Sequence, residues 1–113
     1  MGDFIQVAKL SEIQPGQRKD FWVEGQKVLI FNIEGTLYAV DESCPHRECA
    51  LSKGKLSDKA IICPCHYAQF NLETGEVLVQ PTSNPPTVAL PVHKVKVEDG
   101  NIFVAIQEDV DFY

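Results

Sequence analysis

At 113 residues, with 44% hydrophobic and 23% charged side chains, the chain has the size and composition of one globular domain, spanning residues 1–113. Sixteen acidic residues against ten basic ones give a formal net charge of −6, which argues against nucleic acid as a partner and favours a basic protein surface. No apolar run approaches the roughly 18 residues of a membrane span, and Met1-Gly2-Asp3-Phe4 does not open a signal peptide, so the expectation is a cytoplasmic protein without a membrane span.

In chain order, the first apolar run is Phe4 to Leu10, and Lys9-Leu10-Ser11-Glu12-Ile13 is compatible with one helical turn before Pro15-Gly16 stops it. Phe21 to Val23, Lys27 to Ile33 and Thr36 to Val40 follow as strand-like runs, with Trp22 expected to pack on the core beside Phe21. Lys59 to Cys63, Gln69 to Leu72 and Glu76 to Val79 form a second group. Four of the seven prolines then fall between Pro81 and Pro91, an ordered loop leading into a last hairpin of Thr87 to Val97 and Asn101 to Ile106. In that hairpin His93 to Glu98 alternates polar with apolar, as a strand with one wet face does, and His93 is read as a surface or framework residue. Glu34-Gly35, Thr74-Gly75 and Asp99-Gly100 sit between paired runs and supply the positive φ that tight hairpins require. Three hairpins and seven to nine short strands predict an all-β fold, a small antiparallel β-sandwich or barrel.

Six of the seven cysteine and histidine residues lie between Cys44 and His66. Five of the six form two loop clusters, Cys44-Pro45-His46 and Cys63-Pro64-Cys65-His66, separated by sixteen residues, and Cys49 lies between them. Thiolate and imidazole together suit zinc, copper or iron–sulfur chemistry. Structural zinc sites take like ligands in pairs, Cys with Cys and His with His. Each loop here instead offers one Cys and one His, the donor set of a [2Fe–2S] centre in which one iron takes two thiolates and the other two imidazoles.

Cys44-Pro45-His46 and Cys63-Pro64-Cys65-His66 at this spacing resemble the Rieske signature. Gly35 to Val40, Leu51-Ser52-Lys53-Gly54, Phe70 to Gly75, Pro85-Pro86 and Val97 to Val104 resemble the framework of Rieske ferredoxins, so the resemblance covers nearly the whole chain. It implies a [2Fe–2S] cluster held between two loops, with Cys44 and Cys63 on the inner iron and His46 and His66 on the outer, exposed iron. Neutral imidazoles in place of two thiolates raise the potential above that of four-Cys clusters, into a family range of about −150 to +300 mV. Loss of the remaining ring protons then makes the potential fall as pH rises. Cys49 and Cys65 resemble the extra pair of the Rieske proteins of cytochrome bc complexes, which bridges the two loops, and the resemblance implies a Cys49–Cys65 disulfide. A reducing compartment would instead keep both as thiols. After His66 those high-potential proteins continue Gly-Ser with a Tyr close by. This chain reads Tyr67-Ala68, which removes at least one potential-raising hydrogen bond and places the expected potential in the lower or middle part of the range. Pro85-Pro86 would shield the cluster, and Arg47 and Glu48 would be solvated charges at its rim.

The resemblance implies a soluble one-electron carrier, not an enzyme, that takes electrons from a reductase and gives them to a terminal acceptor. The alternative within the family is a ferredoxin component or small subunit delivering electrons to an oxygenase, or to an oxidase resembling arsenite oxidase. Outside the family, a structural zinc module would use the same two Cys and two His. A thiol–disulfide enzyme working through Cys63 and Cys65 would lack the Cys-x-x-Cys spacing of that chemistry.

Overall fold

In a computed structural model the described residues are 4–44, 49–65, 67–82 and 87–107. The first half builds β1 (Ile5–Lys9), a 3-10 turn over Leu10–Glu12, β2 (Arg18–Val23), β3 (Gln26–Ile33) and β4 (Thr36–Asp41). A second 3-10 turn over Leu51–Lys53 precedes β5 (Lys55–Ser57), β6 (Ala60–Ile62), β7 (Gln69–Asn71) and β8 (Val77–Val79), and the chain closes with β9 (Val92–Glu98) and β10 (Asn101–Ala105).

All pairing is antiparallel, in a six-stranded sheet ordered β1-β10-β9-β4-β3-β2 and a four-stranded sheet ordered β5-β6-β7-β8. The edge strands β1 and β2 also touch, so the larger sheet curls almost into a barrel. This is the all-β sandwich or barrel expected from the sequence. The strand β3 shows why Val28-Leu29-Ile30-Phe31 is apolar without interruption. Successive side chains point to opposite faces, and both faces are covered: Val28 and Ile30 join Ala8, Ile13, Ala39, Ile102 and Val104 inside the curled sheet. Leu29 and Phe31 join Val40, Leu51, Ile61, Phe70, Leu72 and Leu90 between the two sheets. Asp41 follows Val40 out of that second core and leads into the first cysteine loop.

The two sheets are fastened by Arg18. From β2 its Nη1 donates to the carbonyl of Gly54 at 2.6 Å and more weakly to that of Ser52 at 3.5 Å. The guanidinium lies over the Phe31 ring, 5.1 Å from its centroid, and burial pulls its pKa below the ordinary value.

Three expectations need correction. Trp22 does not pack on the core: it is 71% exposed, because Phe21 and Val23 on either side face the inner cluster and the alternation of a strand turns Trp22 outward. The expected strand from Thr87 forms only from Val92 onward. Its first half is bound elsewhere, with the Leu90 N–H on the Gly75 carbonyl and the Asp41 N–H on the Pro91 carbonyl. Finally, β5 has a single apolar residue, Leu56, and no run to announce it.

Candidate metal centre

The two cysteine loops leave the two sheets by the same device. After β4, the Glu42 N–H donates to the Lys27 carbonyl at 3.1 Å and its own carbonyl accepts from Leu51 at 2.8 Å. Ser43 and Ala50 then pair as a single antiparallel bridge. Above that bridge the Cys44 N–H donates to the Cys49 carbonyl at 2.8 Å, and between β6 and β7 the Cys63 N–H donates to the Ala68 carbonyl at 2.8 Å. Each loop is thus closed across five residues by a bond starting at its first cysteine. The closure turns both side chains inward: Cys44 is 0% exposed and Cys63 1%, and both belong to the core between the sheets.

The sulfurs of Cys49 and Cys65 are bonded, joining the loops with a Cα–Cα distance of 6.4 Å. The Sγ atoms of Cys49, Cys63 and Cys65 lie within 4.8 Å of one another. Two of the three are consumed in the bridge, so this trio is not a ligand set. Its proximity places Cys63 directly beside the disulfide. Cys44 and Cys63 are the cysteines outside the bridge. Their chemistry fits an iron–sulfur cluster, which takes soft thiolate donors in an apolar surround that limits water access. His46, Arg47 and Glu48, His66, and Pro85-Pro86 lie outside the described residues.

Several polar groups beside the loops have partners among the described residues. The buried Glu42 carboxylate accepts from the Ser52 hydroxyl at 2.8 Å. His93, with a side chain only 1% exposed, is a framework residue: its Nδ1 accepts the Gln107 N–H at 3.0 Å, so its Nε2 carries the proton toward Asp41 Oδ1 at 2.7 Å. That pair pins the end of β4 just before Cys44. Behind the second loop, Ala68 is fully buried, whereas Tyr67 is 60% exposed and holds a φ of +63°. The segment entering β9 is anchored by Thr87 on Gln80 Oε1 at 2.9 Å and by Leu90 on Gly75. Sequence reasoning flagged Gly75 only as a turn residue and missed Arg18, Glu42 and Asp41. Nothing in a single sequence marks a lone charged side chain as buried against a loop.

Residues 3–98 match the Rieske [2Fe-2S] domain. The chain belongs to that family. As a Rieske protein it has a [2Fe–2S] cluster as its cofactor. It is 37% identical, over 73% of its length and 75% of the relative's, to the 3-phenylpropionate/cinnamic acid dioxygenase ferredoxin subunit of Photorhabdus laumondii. The protein of the same name from Escherichia coli K12 is 40% identical over 72% of this chain and 74% of its own. Among solved structures, the ferredoxin of carbazole 1,9a-dioxygenase from Nocardioides aromaticivorans superposes with a TM-score of 0.78 at 29% identity, covering 92% of this Rieske chain and 98% of that one. A chain in a complex of reduced oxygenase and oxidized ferredoxin of carbazole 1,9a-dioxygenase superposes with a TM-score of 0.77 at 31% identity, covering 96% and 97%. No helix among the described residues is long and apolar enough to cross a membrane.

Proposed function

We propose that this Rieske protein is the ferredoxin component of an oxygenase system, a one-electron carrier that a reductase loads and an oxygenase unloads in the cytoplasm. The observation that carries the reading is the burial of Cys44 and Cys63 at the start of two loops tied to each other by Cys49–Cys65. The relatives support the oxygenase as acceptor, because they are named as ferredoxin subunits of dioxygenases.

In this reading Cys44 and Cys63 hold the inner iron, and His46 and His66 hold the outer one. When bound, the [2Fe–2S] group supplies a site that accepts and returns one electron within the family range of about −150 to +300 mV. The protein's part is to make that exchange fast and selective. Two thiols fixed from buried positions, on loops tied by a covalent bridge, keep ligand geometry nearly unchanged between oxidation states. The apolar shell of Leu51, Ala68 and Leu90 keeps water from the thiolate side. The chain is a carrier and not itself the oxygenase.

The test is spectroscopic. The purified protein should be red-brown, bleach on reduction, and give a rhombic paramagnetic signal whose average g value lies below that of an all-cysteine cluster. A midpoint potential that falls with rising pH should accompany it. A colourless, redox-silent protein containing zinc would overturn the carrier reading.

A further inference from the structure

The charge of this chain is unevenly spread. It carries ten basic and sixteen acidic residues, yet residues 60–72 and 77–93 contain no Asp, Glu, Lys or Arg. The first stretch holds the second cysteine loop and its flanking strands β6 and β7. The second holds β8 and the segment leading into β9.

Among the described residues, the fold sets the second cysteine loop and β7 beside β8 and Thr87 at the cysteine end of the four-stranded sheet. Ala68 closes the loop on Cys63, Gln69 pairs with Val79, and Gln80 accepts the Thr87 N–H. The acids of the β7–β8 hairpin, Glu73 and Glu76, sit in the turn at its far end. Four of the seven large apolar side chains exposed among the described residues belong to this strip: Tyr67, Leu78, Val79 and Val88, the last at 69%. Among the described residues Tyr67 is also the one aromatic held at positive φ. The other non-glycine residues there are Glu24, Glu34, Asp58 and Asp99, all turn acids. A bulky side chain in the left-handed region costs about 1 kcal/mol or more, and here it turns the ring toward solvent.

We propose that the strip carrying Tyr67, Leu78, Val79 and Val88 is the face on which the electron-transfer partner docks, and that the partner meets it with an uncharged, apolar surface of its own. The proposal rests on the carrier reading above and revises the basic partner surface that net charge alone suggests. Interface cores are depleted in charge and enriched in aromatic residues, and this strip runs directly from Cys63. A partner bearing a ring of Lys or Arg would find no carboxylate within residues 60–72 or 77–93, and burying its cations against Val79 and Val88 would cost solvation without return. The acids elsewhere keep the protein soluble and act only at long range, where salt screens them.

Electron self-exchange tests this without an identified partner, because a second copy of the chain offers the same uncharged face. In mixtures of reduced and oxidised cluster-loaded protein, exchange is read from nuclear magnetic resonance line broadening. The wild-type rate should hold or rise between about 20 and 500 mM salt, since screening weakens the mutual repulsion of two anions. Val88→Asp and Leu78→Asp should each slow exchange at least tenfold at low salt, and the neutral Val88→Asn several-fold. Val97→Asp, at an exposed position toward the other end of β9, should leave it nearly unchanged. A rate that falls steeply with salt, or equal slowing by the Val88 and Val97 variants, would overturn the proposal. Absence of a cluster in the wild-type protein would instead overturn the carrier reading. Visible spectra and melting temperatures matching wild type show that each variant reports on docking.

Discussion

The N–H of Cys63 donates to the carbonyl of Ala68 at 2.8 Å, and the methyl group of Ala68 is packed with no exposed surface in the same cluster as Cys44 and Cys63. Position 68 is therefore a place where one hydroxyl, added without moving the backbone, would donate toward sulfur. Hydrogen bonds to cluster and ligand sulfurs stabilise the reduced state and raise the potential. Ala68→Ser should raise the midpoint by roughly some tens of millivolts with little change in melting temperature. Protein-film voltammetry of the two proteins decides it, and equal potentials would sink the argument.

The disulfide makes a separate prediction. Cys49 and Cys65 are separated by 16 residues, and on the chain-entropy view a loop of that size contributes about 3 kcal/mol by restricting the unfolded chain. Replacing both residues with Ser should lower the denaturation midpoint accordingly, while Cys44 and Cys63 remain in place to bind the cluster. Alkylation of the unreduced protein followed by mass spectrometry should find neither Cys49 nor Cys65 labelled. Label on both would mean that the thiols are reduced.

Acid sensitivity should be traceable in part to Glu12. Its carboxylate accepts the Lys9 N–H at 3.0 Å and lies 3.4 Å from Lys19 Nζ, and these contacts, the backbone bond first, hold its pKa below the ordinary value of 4.5. A carboxyl group depressed in the folded state stabilises it above the unfolded pKa. That contribution disappears as pH falls through the lower folded value. Glu12→Gln should therefore weaken the protein at neutral pH, and the difference from wild type should shrink as pH falls below the ordinary carboxyl value of 4.5, measured as urea midpoints. A destabilisation independent of pH would point to lost hydrogen bonding alone.

Much of this was legible in the sequence because it depends on local chemistry. Alternation and β-branched runs located nine of the ten strands found among the described residues, and Glu34-Gly35 and Asp99-Gly100 do adopt positive φ. The inward turn of Cys44 and Cys63 was not legible, since it needs a backbone bond from each cysteine to a residue five positions on. Thr87 to Pro91 looked like a strand because Val88, Ala89 and Leu90 are apolar, but Leu90 serves as a plug in the core rather than a rung of the sheet. Trp22 looked like core because aromatic residues usually are, and only the register of β2 on β3 shows that it faces water. The uncharged strip is visible as a gap in the charge pattern. That it forms one surface needs the pairing of Gln69 with Val79.

Arg18 is expected to matter beyond its own strand. It satisfies the Gly54 carbonyl next to the Leu51–Lys53 turn and stacks on Phe31, so losing it leaves a half-buried carbonyl without its charged donor. Arg18→Met keeps much of the stem packing and removes the donor, at a cost of about 1–3 kcal/mol. Arg18→Lys should recover only part of that, because an ammonium group cannot both stack on the ring and reach Gly54. Urea midpoints of the three proteins test the ordering, and a Lys variant equal to wild type would contradict it.

Gly75 carries the sharpest steric demand. Its φ is +80°, and a β-carbon there would run into the carbonyl oxygen of Leu90, whose N–H donates to the Gly75 carbonyl at 2.9 Å. That obstacle is backbone, so no rotamer change relieves it. Gly75→Ala adds the left-handed penalty of about 1 kcal/mol or more to a displacement of the Leu90 backbone. Leu90 fills the core beside Cys44 and Cys63, so the displacement propagates to the thiolate side of the cluster. The expected outcome is a loss of roughly 2–4 kcal/mol in stability together with faster bleaching of the visible absorption in air. Gly35→Ala is the control: it shares the positive φ, of +95°, but its β-carbon would meet nothing within 4 Å. It should show the conformational penalty alone and keep its colour. Equal effects at the two positions would mean that the Leu90 contact contributes nothing.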